Sequence, residues 1–148
     1  MGEVIGTEMP ASVLNYIHGG RIVIVATVGA DGRPNCAPFS WVLAKDSRTL
    51  RLGVNQGVAT LQNVRRNGAV AISITAPNLH ITLKGTARVI QESIEGAPLP
   101  TAVVEVKIEE VKDDAVIGRV VPGQATTRWN DRRRLISDTT ILMALERV

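Results

Sequence analysis

The side chains able to act as nucleophile or metal ligand are few and scattered: one cysteine, Cys36, and two histidines, His18 and His80, in 148 residues. A reactive thiolate needs a neighbouring base or cation to lower its pKa, and none flanks Cys36 in sequence, so it reads as an inert thiol. A single cysteine also excludes an intrachain disulfide and every CxxC motif. Neither histidine has a cysteine or paired carboxylate at ligand spacing, which argues against a structural zinc site. His80 stands just before an expected strand, and His18 ends an expected helix, where its charge suits the dipole. The densest basic run is Arg128, Arg132, Arg133 and Arg134 beside Trp129. It reads first as a solvated face, with phosphate or subunit contact as the functional alternative. No catalytic residue and no metal ligand is assigned.

The elements that would carry a site are mostly strands. Residues 22–28 form a β-branched run, apolar on both faces as expected of a covered strand, and residues 29–32, Gly-Ala-Asp-Gly, supply a hairpin turn. Leu50, Leu52 and Val54 alternate with Thr49, Arg51 and Gly53, and Val70, Ile72 and Ile74 with Ala71, Ser73 and Thr75. Between them Leu61 and Val64, then Arg65, Arg66 and an Asn67-Gly68 stop, predict a helix over residues 57–67. Residues 81–89 alternate strictly, with the small Gly85 and Ala87 inviting a close neighbour. Val104, Val106 and Ile108 against Glu105, Lys107 and Glu109 predict a half-exposed strand. A short helix is expected over residues 7–18, with Thr7 or a neighbour capping and Gly19-Gly20 ending it. Residues 138–148 suit a second short helix, though Thr139, Thr140 and Ile141 leave a strand open.

This order lacks regular βαβ alternation and argues for a mainly β fold, an antiparallel barrel with peripheral helices. Residues 1–148 fit one domain, and 45% hydrophobic with 21% charged residues is enough apolar content to fill a core without disulfides. No apolar run approaches a membrane span, and the amino terminus lacks signal-peptide features, so a cytoplasmic location and no membrane partner are expected. A net charge of +3 is modest, and with aromatics at 3% there are few platforms for stacking bases; no nucleic-acid partner is expected.

The run from residue 22 through Pro34, Pro38, Phe39, Ser40 and Trp41, the strand 49–55, the helix with Leu61 and Asn63, and the strand 69–74 together resemble the FMN-binding split-barrel family of pyridoxamine 5'-phosphate oxidase-like proteins. The resemblance is strongest over residues 22–89. It implies an antiparallel, Greek-key type split barrel, a homodimer, and FMN lying along two segments. The matching positions are Ala37, Pro38, Phe39 and Ser40 on the first, and Val54, Asn55, Gln56, Val58, Ala59, Thr60 and Leu61 on the second. Backbone amides at the helix start would hold the phosphate and strand main chain the ring edge. Asn55, Gln56 and Thr60 alternatively form only a turn and a cap.

Many family members carry Lys or Arg about three residues before the helix Asn, where this chain has Ala59 and Thr60 ahead of Asn63. The Thr60 hydroxyl, the Asn55 and Gln56 amides and the helix amino terminus can still hold the phosphate, with Lys84 from a neighbouring strand as the substitute charge. The resemblance implies that Arg128 and Trp129 reach across to the partner subunit's cofactor, the alternative being a surface hairpin with one packed indole. The long carboxy-terminal extension of true pyridoxamine phosphate oxidases is missing, so that reaction is not expected. The resulting expectation is an FMN-binding oxidoreductase that uses a small-molecule electron donor or acceptor. The alternatives are a non-catalytic flavin carrier or electron-transfer protein, or a split barrel holding a deazaflavin or haem.

Overall fold

The computed structural model describes residues 2–18, 21–123 and 130–148, leaving the side chain of residue 135 aside. In chain order the elements are β1 (Glu3–Gly6), α1 (Ala11–Tyr16), β2 (Val23–Val28), β3 (Pro34–Phe39), β4 (Val42–Asp46), β5 (Thr49–Asn55), α2 (Ala59–Arg66), β6 (Ala69–Ala76), β7 (Leu79–Gln91), β8 (Thr101–Asp113) and α3 (Arg132–Arg147). The strands form one antiparallel sheet in the order β3-β2-β6-β7-β8-β5-β4, with β1 added to the far end of β8. This is the mainly β split barrel with peripheral helices that the sequence predicts. The sheet's two end strands, β3 and β4, are consecutive in the chain but unpaired in the strand order, so the barrel is split where residues 40 and 41 pass from one to the other.

The main core is built by the inward residues of each strand, among them Val25, Leu52, Val54, Ile72, Leu83 and Val104, all at most 1% exposed, and is plugged by Val13 and Ile17 beside α1 and by Leu61 and Val64 of α2. A second cluster lies outside the sheet: Ile141 and Leu145 of α3 pack with Val103 and Ile94, against partly buried Trp41 and Leu43.

That outer layer explains where strand alternation misleads. α3 packs on β4 and β5, so the outer as well as the inner residues of β5 are buried. Glu105 on β8, expected at the surface, is 4% exposed. β2 errs the other way: Val23, Val25 and Thr27 are buried, but Ile24 is 39% exposed, so its outer face is not covered by the described residues of this chain.

Gly85 is small for a reason internal to the subunit. A Cβ there would collide with the carbonyl oxygen of Lys107, where β7 and β8 shift register. The close neighbour expected of Gly85 is thus β8 of the same chain. Residues 29–32 do form the β2–β3 turn, with Gly32 at φ +82°. His80 lies within β7 opposite Thr75. Thr7 is not a cap: α1 starts after Pro10 with no side-chain cap, and His18 bridges to Leu43 beyond the helix end. The carboxy-terminal helix is longer than its apolar pattern suggests, beginning where the Asp131 carboxylate accepts the Arg133 amide at 2.9 Å. Arg132, Arg133 and Arg134 occupy its exposed first turn.

Candidate functional site

At the split, Ala37, Pro38, Phe39, Ser40 and Trp41 on one side and Gly53, Asn55 and Val58 on the other line an open cleft of about 300 Å³. Its position follows from the chain path. β3 leaves the sheet at Phe39, the chain crosses to β4, and β5 returns along β4 to end at Asn55. Strand alternation then sorts the residues of β5, sending Val54 into the core at 0% exposure while Gly53 and Asn55 face the cleft. Gly53 allows two bulky neighbours to lie on its backbone: a Cβ there would sit 2.7 Å from Ile141 Cγ2 and 3.2 Å from Trp41 Cβ.

The walls are mainly apolar and the polar groups sit at the edges. The Thr101 hydroxyl lies 2.9 Å from Asn55 Oδ1 and 2.8 Å from the Leu99 carbonyl, which pins the Asn55 amide at the cleft floor. Val58 is the N-cap of α2, and among the described residues no side chain caps the helix's opening turn. The first amides of a helix have no intrahelical acceptor, so those of Ala59 and Thr60 present partial positive charge next to the cleft. Anionic groups bind such ends readily.

The predicted site residues separate into two groups. Pro38, Phe39, Ser40, Asn55 and Val58 are brought together, along with Ala37. Val54, Thr60 and Leu61 are at most 1% exposed and do not line the cleft, while Ala59 is exposed at the helix start. Gln56 turns away: its amide donates to the Glu92 carbonyl, its side-chain oxygen accepts from Arg65 at 3.5 Å, and its backbone amide donates to the Pro100 carbonyl at 2.9 Å. Lys84 does not line the cleft. It lies on the outer face of β7 and pairs with Glu110 on β8 at 3.1 Å, because cross-strand register places those two side by side. Trp129 and Arg128 lie outside the described residues. Cys36 is exposed on the outer face of β3, between Pro34 and Pro38.

Sequence reasoning overlooked two features beside the cleft. Trp41 donates its indole N–H to Asp138 of α3 at 2.6 Å across 97 residues of sequence. Behind it, Arg51 pairs with Glu105 at 2.8 Å, both at most 8% exposed, and also donates to the Val148 carbonyl at the end of α3. Burial pushes the Glu105 carboxyl up, but the hydrogen bond from Arg88 and the charges of Arg51, Lys107 and Arg88 outweigh it and hold the carboxyl below its ordinary range. The available signal was weak: Arg51 is the one charged residue of β5, whereas Glu105 is one of several charged residues along β8.

The fold and site together define the class as a split antiparallel barrel with a mainly apolar cleft at the split. A family model described as pyridoxamine 5'-phosphate oxidase matches residues 9–136, so the chain belongs to the pyridoxamine 5'-phosphate oxidase family. Among solved structures it is similar to a putative pyridoxamine 5'-phosphate oxidase from Lactobacillus delbrueckii, at 22% identity over 75% of this chain and 98% of the other, with a TM-score of 0.64. It is also similar to an F420 reductase, at 18% identity over 70% and 98% with a TM-score of 0.59. A third is an FMN-binding protein from Syntrophomonas wolfei, at 14% over 71% and 84% with a TM-score of 0.53. These likenesses concern the fold. No curated protein matches the chain.

Proposed function

We propose that this protein binds FMN at the split of the barrel and works as a homodimeric flavoprotein that exchanges electrons with a small molecule. The carrying observation is the cleft itself: an open, mainly apolar cleft between residues 37–41 and Gly53, Asn55 and Val58, the last being the N-cap of α2. Its volume is at the low end for small-molecule sites, which suits a flat ring partly covered by another surface. Family membership and an FMN-binding protein and an F420 reductase of the same fold support the reading.

The residues present fit the group in two parts. Phe39 and Trp41 offer aromatic walls, Asn55 a hydrogen-bonding edge, and the Ala59 and Thr60 amides an anion site for a phosphate. Among the described residues no lysine or arginine lines the cleft, which leaves the helix amides as their contribution to holding a phosphate. When bound, the flavin supplies hydride and single-electron chemistry. The protein's part is to bind and orient the ring and to exclude water from it.

The second subunit is proposed to cover the outer face of β2 and β3. Ile24, opposite Pro38 in the sheet register, is exposed there, and Pro38 also borders the cleft. A cover at this place buries both at once.

The purified protein is expected to be yellow, with a flavin absorption spectrum and FMN released on denaturation and identified by mass. A colourless protein that fails to bind added FMN refutes the proposal, and a released deazaflavin or haem replaces the cofactor. Turnover with NAD(P)H and a panel of acceptors separates an enzyme from a carrier.

A further inference from the structure

We infer that Asp138 is a positioning residue for the cleft: by holding the Trp41 indole from α3, it fixes the aromatic wall against which a flat ring ligand docks. The consequence for a flavin rests on the function proposed above, whereas the hold on Trp41 stands without any ligand.

The helix that carries Asp138 is fastened independently of it. Ile141 and Leu145 are fully buried against the outer sheet layer. At the helix's carboxy-terminal end, Arg51 donates to the Val148 carbonyl and Lys45 to the Glu146 carbonyl. Cations at exposed terminal carbonyls complement the helix dipole and complete the unsatisfied acceptors. Asp138 therefore sits on a fixed support, so its carboxylate can define where an indole lies.

Among the described residues, two other features restrain Trp41. One is the bare backbone of Gly53, whose missing Cβ leaves room for the indole, with Trp41 Cε3 3.4 Å from that point. The other is the α3 cluster, against which the ring packs while remaining partly exposed. Packing on one edge permits a tryptophan to swing about its χ angles. A charge-assisted hydrogen bond of 2.6 Å from the ring nitrogen restricts that freedom, because indole has one donor and a swing about the χ angles carries its N–H away from the acceptor. Trp41 is at the same time a lining residue of the cleft, so the orientation that Asp138 selects is the shape of one cleft wall.

The fluorescence test uses the full chain in a Trp129→Phe background, which leaves Trp41 as the sole tryptophan, and the FMN titrations use the full chain with Trp129 retained. In the ligand-free protein, Asp138→Leu is expected to raise iodide quenching of Trp41 and lower its fluorescence anisotropy, while Asp138→Asn, which keeps an acceptor, stays near the parent. Circular dichroism reports whether each variant is folded. If Asp138→Leu unfolds the chain, Trp41→Phe, which lacks the indole N–H, must show the same loss of flavin affinity. In FMN titrations Asp138→Leu is expected to weaken binding about tenfold, the scale of one charge-assisted hydrogen bond. That loss is expected to vanish when Trp41 is already Phe.

A folded Asp138→Leu variant with unchanged Trp41 quenching overturns the positioning role. A loss of FMN affinity that persists undiminished in the Trp41→Phe background also overturns it, by showing that Asp138 acts through α3 as a whole. If the parent binds no FMN, the functional proposal falls and the ligand-free fluorescence alone decides the hold of Asp138 on Trp41.

Discussion

Replacing Glu105 by Gln is expected to be among the most destabilising isosteric changes in this protein. Glu105 and Arg51 are 4% and 8% exposed and lie 2.8 Å apart on neighbouring strands in register. The other cations near Glu105 weigh less, since the Arg88 and Lys107 side chains are 71% and 58% exposed and are screened by water. Glutamine keeps the shape and one oxygen but removes the charge, leaving the Arg51 guanidinium buried with the Val148 carbonyl as its other acceptor. Its Nε has no partner among the described residues to begin with.

Orphaning one member of a buried pair costs about 3–5 kcal/mol, and the retained contacts place this case near the lower end. For a chain of this length that corresponds to a fall in Tm of roughly 10 °C. Urea unfolding followed by circular dichroism measures it directly. The pH dependence has a definite sign. Glu105 titrates below its ordinary range when folded, so its contribution is present above the unfolded value of about 4.3 and is lost as pH falls through the lower folded value. The gap between parent and Glu105→Gln should therefore narrow below about pH 4. An Arg51→Met, Glu105→Leu double variant should cost less than the two single variants added together. A Glu105→Gln variant within about 0.5 kcal/mol of the parent, or a gap that widens in acid, refutes this account.

Gly85→Ala should be far worse than Gly53→Ala, since the first drives a methyl to 2.1 Å from the Lys107 backbone carbonyl oxygen and the second meets a side-chain methyl of Ile141 at 2.7 Å; equal melting temperatures would contradict this. Gly53→Ala should still weaken FMN binding by disturbing Trp41, measured by flavin fluorescence titration. Asn63→Leu removes the donor that reaches the buried Thr27 hydroxyl at 3.0 Å and should cost about 1–3 kcal/mol, read by urea unfolding. Ile24→Lys should convert the proposed dimer to a folded monomer in sedimentation velocity; an unchanged sedimentation coefficient places the interface elsewhere.

The barrel was legible because its inner faces obey a simple rule. Val70, Ile72 and Ile74 on β6, and Ile81 and Leu83 on β7, face a core that exists whatever lies outside, and a period of two reports it. The outer faces were not legible, because their burial depends on which helix lies over them. Glu105 and Arg51 look like ordinary surface positions until α3 is laid across β4 and β5. The site divides in the same way. Residues 37–40 with Asn55 and Val58 could be grouped from the sequence because they are local in the chain and bracket the break in the sheet. Gly53 and the Trp41–Asp138 contact were missed because their roles come from contact with α3, which for Trp41 and Asp138 spans 97 residues. Lys84 was assigned as a phosphate partner by charge type alone, and register gives it Glu110.

The two helices beside the split divide the work of the site in a way the chain order makes necessary. α2 follows β5 directly, so its amino terminus must stand at the end of the strand that floors the cleft, and that fixes where an anionic group can go. α3 comes last and is free of that constraint. It reaches the cleft from outside the sheet, through contacts with Trp41, Gly53 and Arg51. Changes in α2 should therefore alter affinity for the phosphate end of a ligand, and changes in α3 affinity for its ring. Titration with FMN and with riboflavin, which lacks the phosphate, separates the two. A variant at Ala59 that extends the side chain should discriminate between these ligands, whereas Asp138→Leu should weaken both by the same factor. The opposite pattern would place the phosphate beside α3 and reverse the orientation argued for the ring.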